Sequence, residues 1–335
     1  MQTGLIIDCE PSGLRRSAAG PVRPGSVRAA GRRPGAAGRG RILEGAGRGR
    51  RGAAKGDRVT DQAESSVLLF GCGKVGVRLG ERLAASGRRV VAVRRRVEAL
   101  PPSFTGIALD YRRPFTAALP HVDSVVVTLT PDRSEADAPD LVSPLRRLAA
   151  ALPARPRRVI LVSSTGVFAG DPRTRPLTEA DEPRPASGRA QALLDSENEA
   201  RRRFGAVVLR PAGIYGPGRE HLIRQVARGV PIDRNRRTNR IHETDLVRTL
   251  HELLRTPSPP STLHAVDGRP ATRGEVADHI ARLLHVPPPP ALDTEPSGHV
   301  LSGARLASFL GALRYPDYRS GYAEIVAAGD AGRWV

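Results

Sequence analysis

The stretch that most constrains this chain is Ser66-Val67-Leu68-Leu69-Phe70-Gly71-Cys72-Gly73-Lys74-Val75-Gly76. An apolar run too short for most helices meets a glycine cluster, and Val75, Leu79 and Leu83 then recur at helical spacing. Strand, glycine turn and helix in that order are the grammar of a dinucleotide-binding unit. Gly71 is expected to make the tight turn, Gly73 to let backbone approach a pyrophosphate, and Gly76 to let the helix pack close to the sheet. Lys74 and Val75 would then open the helix, where unpaired N–H groups and the macrodipole favour phosphate. In a chain with 35 glycines the motif alone is weak. A second apolar run, Val90-Val91-Ala92-Val93, at the distance a βαβ unit needs makes it specific.

Beyond this unit strands and helices alternate. A helix is expected over 74–86, a strand over 89–94, a weaker strand near 104–109 and a fourth over 123–130. Its unbroken apolar centre suits a parallel strand buried on both faces. A helix over 140–152 and a strand over 158–163 follow. Successive units of this size predict an α/β, Rossmann-type, doubly wound parallel sheet with a small C-terminal substrate lobe. The expected division is 1–64 leader, 65–212 dinucleotide-binding core, and 213–335 substrate lobe with returning core elements.

The leader is rich in Gly, Ala, Arg and Pro, with no sustained apolar period. It cannot bury enough surface to offset its ordering entropy, so it is expected to be disordered. Met1 is the only methionine, and a start near Val59 or Val67 would leave the α/β unit whole. Residues 1–64 hold 13 Lys/Arg against 6 Asp/Glu, so a large part of the net charge of +19 lies outside the expected fold. With aromatics at 4%, base-stacking platforms are scarce, which argues against nucleic acid as the partner. No apolar run reaches the length of a membrane span. Cys9 and Cys72 form no disulfide framework, so a reducing, cytoplasmic setting is expected. The eight histidines are scattered, and no cluster has metal-ligand spacing.

Cofactor preference is read at the end of the second expected strand. NAD sites place an acid there for the ribose hydroxyls, whereas a 2′-phosphate calls for arginine. This chain has Arg94, Arg95 and Arg96 there and no acid, which favours NADP(H) over NAD(H). Asp110, after the third strand, is a candidate adenine contact or a plain loop aspartate. Thr128, Ser163 and Pro211 stand at the ends of further expected strands and complete the candidate cofactor set.

Four later segments resemble the extended short-chain dehydrogenase/reductase superfamily in its NAD-dependent epimerase/dehydratase branch. Leu161-Val-Ser-Ser-Thr-Gly-Val-Phe-Ala-Gly170 is similar to the serine-bearing strand end. Leu209-Arg-Pro-Ala-Gly-Ile-Tyr-Gly-Pro-Gly-Arg219 resembles the sixth strand and substrate loop. Asn239-Arg-Ile-His-Glu-Thr-Asp-Leu246 resembles the His-x-x-Asp helix start, and Leu263–Thr272 the late strand and next helix cap. The resemblance implies Ser164 as a substrate-facing hydroxyl; from the residues alone, Ser164 or Thr165 capping a turn is the alternative. His242 and Asp245 read as organisers of a helix junction over 243–255, and Tyr215 reads as structural.

The departure from that family lies between Ser164 and the sixth strand. The family uses Tyr-x-x-x-Lys, in which the lysine lowers the tyrosine pKa and the tyrosine exchanges the proton. Matching the Gly-Arg step puts Ser187 at the tyrosine position and Gln191 at the lysine position. No tyrosine or lysine occurs between residues 112 and 214. Phe168 also stands where the family commonly has tyrosine. The resemblance therefore implies an epimerase/dehydratase-like oxidoreductase with a degenerate active site, or a non-catalytic NADP(H)-binding module for regulation or protein interaction. The arginines after Gly218 suggest a small anionic substrate, and the family often forms homodimers through the helices here at 140–152 and 189–204.

Overall fold

The computed structural model describes residues 65–129, 139–171 and 173–329. The leader expected over 1–64 lies outside the described residues, as does Cys9. The first half alternates β1 (Ser66–Phe70), α1 (Lys74–Ala85), β2 (Arg89–Arg94), β3 (Phe104–Ala108), β4 (Ser124–Val127), α2 (Val142–Ala151) and β5 (Arg158–Val162). A short 3-10 turn over Thr165–Phe168 leads to α3 (Gly188–Phe204) and β6 (Val207–Pro211). The chain continues through β7 (Gly213–Tyr215), α4 (His221–Ala227), β8 (Arg237–Thr238), β9 (Arg240–His242) and α5 (Glu243–Arg255). It closes with β10 (Thr262–Ala265), β11 (Ala271–Thr272), α6 (Arg273–Leu284), α7 (Ala304–Leu310) and α8 (Tyr318–Ala327).

Seven strands form one parallel sheet in the order β10-β6-β5-β4-β1-β2-β3. The order reverses at β1, so the crevice between the β1 and β4 ends is the switch point where such sheets take ligands. Alternate residues of each central strand feed opposite cores, as strand pleating demands. Leu68, Phe70, Val125, Val127, Val159 and Leu161 pack with α2 and α3 residues such as Leu145, Leu148 and Phe204. Val67, Leu69, Val126 and Ile160 pack with Leu79, Leu83, Leu246 and Leu250 of α1 and α5.

The lobe after β6 has its own apolar cluster, including Ile223, Val226, Ile232, Val276, Ile280, Tyr318, Tyr322 and Ile325. β10 returns to the edge of the sheet beside β6. Tyr215 stacks on Tyr322 at 4.8 Å and meets the His242 ring edge-on at 5.1 Å. His242 caps α5 by accepting the Thr244 amide through Nδ1, 3.2 Å. The buried Asp245 carboxylate accepts the amides of Arg314 and Tyr315, each at 2.9 Å, and ties the last loop to that junction. The fourth strand covers Ser124–Val127 of the expected 123–130: Thr128 turns its hydroxyl to the Gly71 carbonyl, and residue 130 lies outside the described residues. No helix among the described residues is long and apolar enough to cross a membrane.

Candidate functional site

The turn after β1 is built so that its first glycine has no substitute. Gly71 has φ of +88°, and a Cβ there would stand 2.4 Å from the Thr128 carbonyl oxygen. Thr128 braces the turn from β4: its hydroxyl donates to the Gly71 carbonyl and its amide to the Phe70 carbonyl, the latter at 2.9 Å. Gly73 is the N-cap of α1 and has no side-chain cap. The first intrahelical bond runs from the Val77 amide to the Gly73 carbonyl at 2.9 Å, which leaves the amides of Lys74, Val75 and Gly76 ahead of it. A Cβ on Gly73 would meet nothing within 4 Å. Packing does not require glycine there, and the bare backbone faces open space.

Gly76 does not perform the packing role expected of it. Its Cβ would approach only Cys72, with Sγ at 3.1 Å. The close approach of α1 to the sheet belongs to Gly80, where a Cβ would stand 2.3 Å from Phe104 Cζ and 3.0 Å from Leu69 Cδ1. Gly80 lies four residues after Gly76 and so on the same helix face, a spacing the sequence displays outside the motif. Cys72 is buried, and burial pushes its thiol up to about 11, so the sulfur in the turn is neutral at physiological pH.

A cleft of about 430 Å³ opens beside Gly73, lined by Lys74, Val77, Arg78, Glu81, Arg94 and Pro217. Arg94 is therefore at the place the sequence indicated, whereas Arg95 does not line this cleft and is exposed. Arg78 was missed, being two residues beyond the glycine motif. Its Nε pairs with the fully buried Glu243 at 3.1 Å, and Arg219 reaches the other Glu243 oxygen at 3.2 Å. The Lys74 ammonium donates to the Gly218 carbonyl at 2.9 Å. These contacts hold the loop Gly216–Arg219 over the first turns of α1. At Asp110 the Arg112 guanidinium grips both carboxylate oxygens at 3.0 Å, and that bonding lowers the Asp110 pKa.

At the end of β5, Ser163 and Ser164 are both engaged. The Ser163 hydroxyl donates to Glu197 Oε1 at 2.7 Å. Glu197 is fully buried on α3 and forms two bonds, 2.9 and 2.7 Å, with the buried Arg210 guanidinium of β6. The Arg210 guanidinium also lies over the Phe168 ring at 5.2 Å. Ser164 caps the 3-10 turn, its Oγ accepting the Gly166 amide at 3.0 Å, which is the alternative the residues allowed. Pro211, buried at the end of β6, pairs in register with Ala265.

Ser187 and Gln191 both stand at the N-terminal end of α3. Ser187 is the exposed N-cap of α3, its Oγ accepting the Ala190 amide at 3.2 Å. The Gln191 amide donates to Asp195 Oδ1 at 2.8 Å on the exposed side of α3. Of the arginines after Gly218, Arg219 pairs with Glu243, Arg224 with Glu220 and Arg234 with Asp278. No group of three or more potential metal ligands occurs among the described residues.

Residues 65–305 match the family of the RmlD substrate binding domain. The chain belongs to that family. It thereby falls among the extended short-chain dehydrogenases/reductases, as the four segments implied. A solved structure named for the NAD-dependent epimerase/dehydratase class, from Methylobacillus flagellatus, is 27% identical. Its TM-score is 0.66, with 79% of this chain and 98% of that one covered. MoeE5, solved with UDP-glucose and NAD, is 24% identical with TM-score 0.62, covering 78% and 97%. UDP-glucuronic acid 4-epimerase from Bacillus cereus, solved with UDP-glucuronic acid and NAD, shares the fold at 15% identity, TM-score 0.61, with 78% and 99% covered. No curated protein matches the sequence.

Proposed function

We propose that this member of the RmlD substrate binding domain family is an NADP(H)-preferring, epimerase/dehydratase-like oxidoreductase of the cytoplasm acting on a small anionic substrate, with sugar nucleotides the first class to try. The carrying observation is the open backbone at Gly73 beside a cleft that holds Lys74, Arg78 and Arg94. The residues fit a dinucleotide. The amides of Lys74, Val75 and Gly76 would hold the diphosphate, and Arg94 with Arg78 a 2′-phosphate, where a guanidinium forms two charge-assisted bonds. A bound nicotinamide supplies hydride chemistry, which needs position and exclusion of water more than a protein nucleophile. The chain's part is then to orient and to shield. The Ser163–Glu197–Arg210 network fixes the end of β5 against α3, and the loop Gly216–Arg219 covers the start of α1.

The absence of tyrosine and lysine between residues 112 and 214 favours a second reading, a module that binds the cofactor without turnover. Calorimetric titration with NADP⁺ and NAD⁺ tests the first. The chain is expected to prefer NADP⁺ by tenfold or more, and Arg94→Asp to erase that preference; an unchanged ratio would refute the assignment. Nicotinamide absorbance in the presence of UDP-glucose and UDP-glucuronic acid then separates turnover from binding alone.

A further inference from the structure

We propose that Glu243 is a positioning residue of the coenzyme cleft: through Arg78 it sets the preference for a coenzyme that carries a 2′-phosphate. The proposal rests on the preceding reading in seating that phosphate between Arg78 and Arg94. One face of α1 forms the cleft wall, since the lining residues Lys74, Val77, Arg78 and Glu81 recur at i, i+3, i+4 and i+7. Arg94 lines the cleft from the end of β2, and Pro217 lines it from the loop. Arg78 is long and its side chain is 39% exposed, so its guanidinium has many rotamers open to it unless something holds it. Glu243 supplies the hold.

Glu243 opens α5, whose Leu246 and Leu250 share a core with Leu79 and Leu83 of α1. Its carboxylate is fully buried in the first turn of that helix, where the macrodipole favours its charge. Oε2 accepts a hydrogen bond from Arg219 Nε at 3.2 Å. Oε1 accepts none; Arg78 Nε stands 3.1 Å from it as an ion pair, out of hydrogen-bonding alignment. A carboxylate that served only to staple the loop would have spent both oxygens, because a buried acceptor left open is costly. Here the open oxygen is given instead to an arginine of the cleft. Held at Nε, Arg78 keeps its Nη1 and Nη2 end for a ligand, with Nη2 only 3.4 Å from the Pro217 carbonyl oxygen. That end of the fork grips a phosphate through two bonds. Arg219 shares the carboxylate, so the two guanidiniums outweigh it and Arg78 keeps its attraction for an anion.

The test is calorimetric titration of NADP⁺ and NAD⁺ into the full chain and its variants. Glu243→Gln is expected to weaken NADP⁺ binding by roughly fivefold or more while NAD⁺ affinity stays within about twofold, so that the preference falls. Arg78→Leu should lower the preference at least as far. Adding Glu243→Gln to it should take nothing more away, because Glu243 acts through Arg78. Equal losses of both coenzymes in Glu243→Gln would mark the residue as structural and overturn the proposal, as would effects that multiply in the double variant. Should Glu243→Gln not fold, Arg78→Lys decides, since it keeps the charge and removes the Nε that Glu243 holds. It is expected to lose the preference as Arg78→Leu does, and a preference retained would overturn the proposal. A native chain that takes NAD⁺ as readily as NADP⁺ would refute the coenzyme assignment and this proposal with it. A native preference that survives Glu243→Gln refutes only the role of Glu243.

Discussion

Replacing Glu197 by glutamine should be among the most damaging single-atom changes this fold can suffer. The Arg210 side chain is 3% exposed and its guanidinium spends two bonds, 2.9 and 2.7 Å, on the Glu197 carboxylate, itself fully buried. Glutamine keeps the volume but removes the charge, and its NH₂ then faces either the Arg210 donors or the Ser163 hydroxyl. Leaving a buried cation without its partner costs about 3–5 kcal/mol. That is a large fraction of the roughly 5–15 kcal/mol that holds a domain folded. Urea unfolding followed by far-ultraviolet circular dichroism reads the loss. Combining Glu197→Gln with Arg210→Met removes the stranded charge, so the double variant should recover most of the stability despite carrying two changes. A loss below about 1 kcal/mol for the single variant, or a double variant no better than the single, would refute the coupling of α3 to the β5 end.

Three other outcomes follow from separate features. Gly80→Ala should destabilise by about 2 kcal/mol, because its Cβ would overlap Phe104 Cζ at 2.3 Å, whereas Gly76→Ala should cost less; equal losses in denaturant would contradict the packing assigned to Gly80. His264 is fully buried with both ring nitrogens unbonded, and burial holds its pKa down at about 3 against an ordinary 6.5. Its folded pKa lies below its unfolded one, so stability is intact above pH 6.5 and falls as the unfolded chain takes up protons below that. His264→Leu should flatten the loss between pH 6 and 4 by up to about 1.4 kcal/mol per pH unit, and an unchanged acid slope would be the contrary result. Arg94→Asp should shift the coenzyme preference from NADP⁺ to NAD⁺, as read by calorimetry.

Much of the scaffold was legible because its signals are local. The apolar run, glycine turn and helical spacing placed α1 and β2 at or within one residue of their observed bounds, and His242-Glu243 located the start of α5. The site was legible only where it depends on backbone. Gly71 and Gly73 have the geometry their positions implied, but Gly80 was passed over because its constraint comes from Phe104, which only tertiary packing brings near. Arg78 escaped for a similar reason: it enters the cleft from the second turn of a helix, outside any phosphate motif. The Asp110–Arg112 grip spans only two residues and is local in the same sense as the scaffold signals. The Ser163–Glu197 bond is not, since it joins residues 34 apart that only the packing of α3 on β5 brings together.

The most direct measurement is fluorescence titration of NADPH into the full chain and into Gly73→Leu. Gly73 has φ of −92°, which any residue adopts, and open space around its Cβ, so the variant should fold with an unaltered melting temperature. The native chain should bind NADPH at micromolar concentration, and the variant at least a hundredfold more weakly. Equal affinity in the two, or no binding by the native chain at millimolar NADPH, would contradict a diphosphate seated on the first amides of α1.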